Sequence, residues 1–127
     1  MKIVVLERNS VGLDVSIDGI EALGEVTVYP NTTRDDIDGR LTDAEIIVAN
    51  KAPLNEETLK DASKVRLICE FATGYDNIDL AYCKSRGIKV ANVVNYSTDA
   101  VAQHTFALCF YVLEKLRHYD EYVKSGA

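Results

Sequence analysis

The chain has 127 residues, 47% of them hydrophobic and 27% charged, with 14 Lys plus Arg against 20 Asp plus Glu and a net charge of -6. This is the balance of a single globular domain that can bury a core without disulfides or metal, and it argues against wholesale disorder. The acidic excess argues against a phosphate-backbone binder, so no nucleic-acid partner is expected.

In chain order, Lys2 to Leu6 is a near-continuous apolar run, typical of a strand buried on both faces. Ser16 is placed to cap a short helix through Leu23, with Gly24 as its left-handed stop. Glu25 to Tyr29 reads as a second strand closed by Pro30, and Thr33 caps a helix over Arg34 to Leu41. Glu45 to Val48 is the third strand. Asn55 opens the third helix, with Glu56 and Glu57 in the first turn, where the helix dipole favours anions. Arg66 to Glu70 is the fourth strand, Asp79 caps a helix that stops at Gly87, and Ile88 to Ala91 is the fifth strand. Ser97 or Thr98 then caps one long helix to about Lys124, terminated by Gly126.

Strand and helix thus alternate five times with short connections, which predicts right-handed crossovers and an α/β fold. The expected sheet is parallel and flavodoxin-like, with strand order 2-1-3-4-5 and helices on both faces. Residues 1–97 form the expected domain, and 98–127 the helix beyond it.

Open α/β sheets bind ligands outside the carboxyl ends of their strands. Here those ends carry Glu7 to Ser10, Asn50 to Pro53, Phe71 to Asn77 and Asn92 to Tyr96. Phe71-Ala72-Thr73-Gly74-Tyr75-Asp76-Asn77 is the most informative, because small residues after a buried strand let backbone N–H groups approach an anion such as a carboxylate. The plainer alternative is an ordinary strand-to-helix turn with Gly74 at positive φ. A receiver domain would need an acidic cluster after strand one and an aspartate after strand three, but Glu7-Arg8-Asn9 and Asn50-Lys51 stand there. Arg8-Asn9-Ser10-Val11-Gly12 is not a flavodoxin phosphate loop, and the seven glycines never fall into G-x-G-x-x-G, so this chain is not expected to hold a dinucleotide by itself.

The two histidines, His104 and His118, both lie on the final helix; His104 is read as buried or at an interface and His118 as exposed. The pairs Asp35-Asp36 and Glu56-Glu57 complement helix dipoles rather than forming acid–base pairs. No metal site is expected, and Cys69, Cys83 and Cys109 fit free thiols in a reducing cytosol. Glu7 and Arg8 end the first apolar run before a signal-peptide core could form, and Phe106 to Leu113 is too short to span a bilayer. A cytoplasmic protein with no membrane contact is expected.

Leu67 to Leu80, with its Gly74-Tyr75-Asp76-Asn77-Ile78-Asp79 core, resembles the NAD-dependent D-isomer-specific 2-hydroxyacid dehydrogenases. Arg86-Gly87-Ile88-Lys89-Val90 and Tyr96-Ser97-Thr98-Asp99-Ala100-Val101-Ala102-Gln103-His104 follow in that family's order. Gln103 stands where the family motif commonly carries glutamate. Asn50 to Leu54 and Tyr122 to Gly126 resemble the glycerate-dehydrogenase branch.

The resemblance implies a substrate domain acting on a small 2-keto or 2-hydroxy acid, with NAD(H) as cofactor of the full-length enzyme. It implies that the substrate carboxylate meets the Thr73-Gly74 turn, that Asn50 and Lys51 border the same cleft, and that Thr105 approaches the nicotinamide. The glycine fingerprint, the substrate-binding arginine, the glutamate and the acid–base histidine would lie beyond residue 127. No catalytic residue is therefore assigned here, no tight cofactor binding is expected, and the chain alone is expected to be inactive. A catalytically inert binding or dimerisation module is the alternative. The segment Phe106 to Leu113 is apolar around its full circumference, so a homodimer through the 98–124 helix, with Phe106, Phe110 and Leu113 in its interface, is also expected.

Overall fold

The computed structural model describes residues 1–126. They divide into two units, Met1–Val94 and the segment from Asn95 onward.

The first unit is built on five short parallel strands: β1 (Lys2–Val5), β2 (Glu25–Val28), β3 (Ile46–Ala49), β4 (Leu67–Glu70) and β5 (Lys89–Ala91). Their order is β2-β1-β3-β4-β5, as the alternation of elements predicts. Side chains alternate across the sheet because the strand period is two residues. Leu6, Ile47 and Ile68 enter the larger core, where they pack with Ile37 and Leu41 of α2 (Ile37–Leu41), Leu59 of α3 (Glu56–Leu59) and Cys83 of α4 (Leu80–Ser85). These aliphatic side chains are almost fully buried, each contributing about 1.5–3 kcal/mol relative to exposure. Ile3, Val5 and Val48 face the other way, against Ile20 of α1 (Asp18–Glu21). This second face is thinly covered, and an apolar hollow of about 160 Å³ opens between Ile20, Leu23, Ile46 and Phe71.

Three helix starts follow the sequence, whereas α1 spans only Asp18–Glu21 with Ile17 rather than Ser16 at its N-cap. Asn55 accepts from the N–H groups of Glu57 and Thr58 while Thr58 Oγ1 accepts from the N–H of Asn55, a reciprocal capping box. Thr33 and Asp36 make a second such box, and Asp79 accepts from the N–H of Tyr82. Gly87 ends α4 at φ +70°, as expected.

Two expectations are corrected. Gly24 is not a left-handed stop; its lack of a side chain matters because a Cβ there would lie 2.3 Å from the carbonyl oxygen of Met1, where β1 and β2 converge. The final helix is not continuous. In the second unit α5 (Thr98–Leu113) ends at Glu114, Lys115 adopts the left-handed conformation at φ 51°, and α6 (Leu116–Lys124) begins anew. A non-glycine residue there costs about 1–2 kcal/mol, and neither glycine nor proline marks the break in the sequence. Within the second unit all of α5 and α6 is exposed, including His104 and His118. Gly126 does terminate α6, at φ +78°.

Candidate substrate-carboxylate site

The β3–β4 pairing sets Ala49 opposite Glu70, so the loops that leave these strands emerge side by side. Asn50 and Lys51 follow β3, and Ala72 to Asn77 follow β4. Asn50, Lys51, Ala72, Gly74, Asp76 and Asn77 line one open hollow of about 300 Å³. Three of the four residues expected to bind substrate, Asn50, Lys51 and Gly74, therefore meet at the carboxyl end of the sheet.

Thr73 is placed differently. Its hydroxyl donates to the carbonyl of Val93 at 2.7 Å, and its own carbonyl accepts from Asn92 Nδ2 at 2.7 Å. The Thr73 side chain is taken up in holding the loop after β4 against the chain after β5; what it can offer a ligand is its backbone. The N–H groups of Thr73, Gly74, Tyr75 and Asp76 donate to no protein acceptor among the described residues, and all four residues are exposed. These exposed N–H groups are open to water or to an external acceptor.

Gly74 is not at positive φ, which removes the plainer explanation of that glycine. A Cβ built on it would come no nearer than 3.9 Å to another atom, Asp76 Oδ2, so crowding within the chain does not require glycine either. Close approach by something outside the chain remains as a physical use for it.

Three residues that the sequence reading passed over organise the site. Glu7, at the end of β1, reaches beneath the loop after β3, and its Oε2 accepts from the N–H groups of Asn50, Lys51 and Ala52 at 2.8, 2.7 and 2.9 Å. Asn77 Nδ2 donates to the carbonyl of Ala52 at 3.0 Å and lies 3.5 Å from Glu70 Oε2. Glu70 is 2% exposed, and its Oε1 has no hydrogen-bond partner among the described residues. Burial pushes its carboxyl up to about 7; the Asn77 amide opposes that rise and the nearby Glu7 carboxylate adds to it. The available signals were a carboxylate at the very end of one buried strand and another inside the apolar run Leu67 to Phe71.

Thr105 belongs to the second unit, where its hydroxyl donates back to the carbonyl of Val101 at 2.8 Å on α5. Among the described residues no group of His, Cys, Asp and Glu side chains could hold a metal ion, and no helix is long and apolar enough to cross a membrane. The first turn of the sheet does not suit a dinucleotide pyrophosphate. It is a short 3-10 turn, Arg8–Ser10, preceded by the Glu7 carboxylate rather than by free glycine amides.

The family model described as D-isomer specific 2-hydroxyacid dehydrogenase, catalytic domain, matches residues 3–120. A hydroxypyruvate reductase of Blautia hydrogenotrophica is 35% identical over 99% of this chain and 40% of its own length. A glycerate dehydrogenase of Methylorubrum extorquens is 36% identical over 98% of this chain and, again, 40% of its own length. Among solved structures, an acyclic imino acid reductase in complex with NADPH and D-Arg superimposes with a TM-score of 0.83 at 28% identity, covering 100% of this chain and 42% of that one. The D-lactate dehydrogenase of Aquifex aeolicus, complexed with NAD and lactic acid, gives 0.77 at 30% identity, covering 98% of this chain and 37% of the other. The chain thus spans about two fifths of the length of the curated relatives it matches.

Proposed function

The chain belongs to the D-isomer-specific 2-hydroxyacid dehydrogenase family, in the region of its catalytic domain, and on that premise we propose that it is the part of such an oxidoreductase that seats the carboxylate of a small 2-keto or 2-hydroxy acid. The observation that supports this reading is the row of N–H groups from Thr73 to Asp76, unpaired among the described residues, of which Gly74 and Asp76 share one hollow with Asn50 and Lys51. Anion and amides meet there without a bidentate arginine, so affinity for the acid alone is weak. Fixing the carboxylate fixes the direction of the adjacent carbonyl, and orienting reacting groups in this way lowers a transfer barrier substantially.

In a full-length enzyme the nicotinamide cofactor, NAD(H), supplies the hydride. The residues present here contribute substrate placement, with Thr105 at the nicotinamide side as the resemblance implies. Residues 98–127 then form the helical passage from the substrate domain, residues 1–97, toward the part that holds the dinucleotide, and the whole works in the cytoplasm. The second reading, an assembly module, is favoured by one observation: Phe106, Phe110 and Leu113 of α5 are 63, 56 and 68% exposed. The two are compatible if α5 pairs two copies of the chain.

Titration of the labelled chain with glyoxylate, followed by backbone amide shifts, tests the proposal. The amides of residues 71–77 should move first. Shifts confined to basic surface residues such as Arg34 or Lys124 would mean nonspecific charge binding and overturn it.

A further inference from the structure

Three successive backbone N–H groups, those of Asn50, Lys51 and Ala52, converge on one oxygen, Glu7 Oε2, all within 2.9 Å. Such a concavity of consecutive amides is built to hold an anion, and here the anion is part of the chain. The contact is long-range, joining residues more than 40 positions apart, and Glu7 is half-buried beneath the loop it holds. On the opposite border of the hollow, Asn77 donates to Ala52 and stands against buried Glu70. Glu7 and Glu70 therefore flank the loop after β3 from the ends of its two neighbouring strands.

We propose that Glu7 is the positioning residue of the site: its carboxylate is a permanent internal ligand that sets the backbone of Asn50 to Ala52, and so holds Asn50 and Lys51 at the rim where the substrate carboxylate is received. This rests on the functional reading given above, and assigns to Glu7 no contact with substrate. Two features support it. First, the amides of Asn50 to Ala52 are saturated by Glu7, which leaves the amides of Thr73 to Asp76 as the free donors and divides the two loops into one that is held and one that receives. Second, a second carboxylate this close would repel Glu7, and burial shifts Glu70 toward its neutral form, which lessens that repulsion. The groups that act on the Glu70 carboxyl are the Asn77 amide and the Glu7 carboxylate.

The test uses Glu7→Ala and Glu7→Gln in the full chain, with amide hydrogen exchange and glyoxylate titration as readouts. Glu7→Ala should abolish exchange protection at Asn50 to Ala52, leave that of Ile47 and Ile68 in the strands intact, and weaken glyoxylate binding about tenfold. Formate in large excess, a carboxylate small enough to enter the vacated nest, should restore both. Glu7→Gln keeps the shape and one acceptor oxygen, so it should stay folded and fall between wild type and Glu7→Ala. Unchanged protection and affinity in Glu7→Gln and Glu7→Ala, or loss that formate does not restore in a folded Glu7→Ala, would overturn the role of Glu7. Should Glu7→Ala not fold, a Glu7→Gln with wild-type exchange at Asn50 to Ala52 has the same force. Failure of the wild-type chain to bind glyoxylate would remove the functional reading instead, while the exchange and formate measurements still decide what Glu7 does.

Discussion

The side-chain amide of Asn77 donates to the carbonyl of Ala52 at 3.0 Å, tying the loop after β4 to the loop after β3. Parallel pairing of Leu54 with Ile78 continues the same connection one step further along both chains. Replacing Asn77 by Ala would leave the Ala52 carbonyl without this donor and take away the amide that stands 3.5 Å from Glu70 Oε2. Asn77→Ala is expected to cost about 1–2 kcal/mol, read as a lower midpoint in urea unfolding with an unchanged slope. A variant as stable as wild type would show that the tie is incidental.

Glu70 makes stability pH-dependent in an unusual direction. Its folded-state pKa, about 7, lies above the usual 4.5, so between those values the folded chain keeps a proton that the unfolded chain has released. This contribution is fully present below the unfolded value, falls away as pH rises, and levels off once pH exceeds the folded value. Glu70→Gln has no proton to lose there. It should match wild type at pH near 4 and exceed it by up to roughly 3 kcal/mol above about pH 8. Parallel stability curves across that window would show that Glu70 ionises normally.

Two glycines should respond in opposite ways to alanine. At Gly24 the new Cβ would lie 2.3 Å from the Met1 carbonyl oxygen, which itself accepts the N–H of Glu25, so Gly24→Ala should lose about 1–3 kcal/mol. At Gly74 there is room and no positive φ, so Gly74→Ala should change stability by less than about 0.5 kcal/mol while weakening or abolishing glyoxylate binding. Thermal melts and amide titrations on the two variants check this. A Gly74→Ala chain that binds glyoxylate as wild type does would remove the anion seat from that turn.

The exposed face of α5 leads to an expected homodimer. Phe106 and Phe110 stack one helical turn apart with ring centroids 6.5 Å apart, and Leu113 continues the same apolar surface. Leaving such side chains in water costs roughly 1.5–3 kcal/mol each relative to burial. Light scattering at micromolar concentration should report a dimer, and Phe110→Glu should move it toward monomer or aggregate. A soluble monomer throughout that concentration range would sink the idea.

Much of the fold was legible because local chemistry writes it. Asn55, Thr33 and Asp79 announce helix starts by offering oxygens to the first unpaired N–H groups, and Gly87 and Gly126 announce ends by adopting a conformation costly to other residues. Runs such as Lys2 to Leu6 and Arg66 to Glu70 mark strands, and their short connections restrict the sheet to few orders. The meeting of Asn50, Lys51 and Gly74 follows from that order alone, since adjacent parallel strands deliver their carboxyl ends to one place.

What only the tertiary structure decided depends on groups distant in sequence. Glu7 could not be assigned to the amides of Asn50 to Ala52 from its own neighbours, because the partners lie across the sheet. Glu70 looks like a strand-end carboxylate until burial is known; its pKa belongs to the core that encloses it. Gly24 resembles a helix stop until Met1 is seen against it, and that the Thr73 hydroxyl is taken up by the carbonyl of Val93 is visible only once the two loops are brought together. The break at Lys115 has no local signal at all, since neither proline nor glycine imposes it. Short-range hydrogen bonding and periodicity are properties of the chain; desolvation, long-range pairing and close approach exist only once the chain has folded.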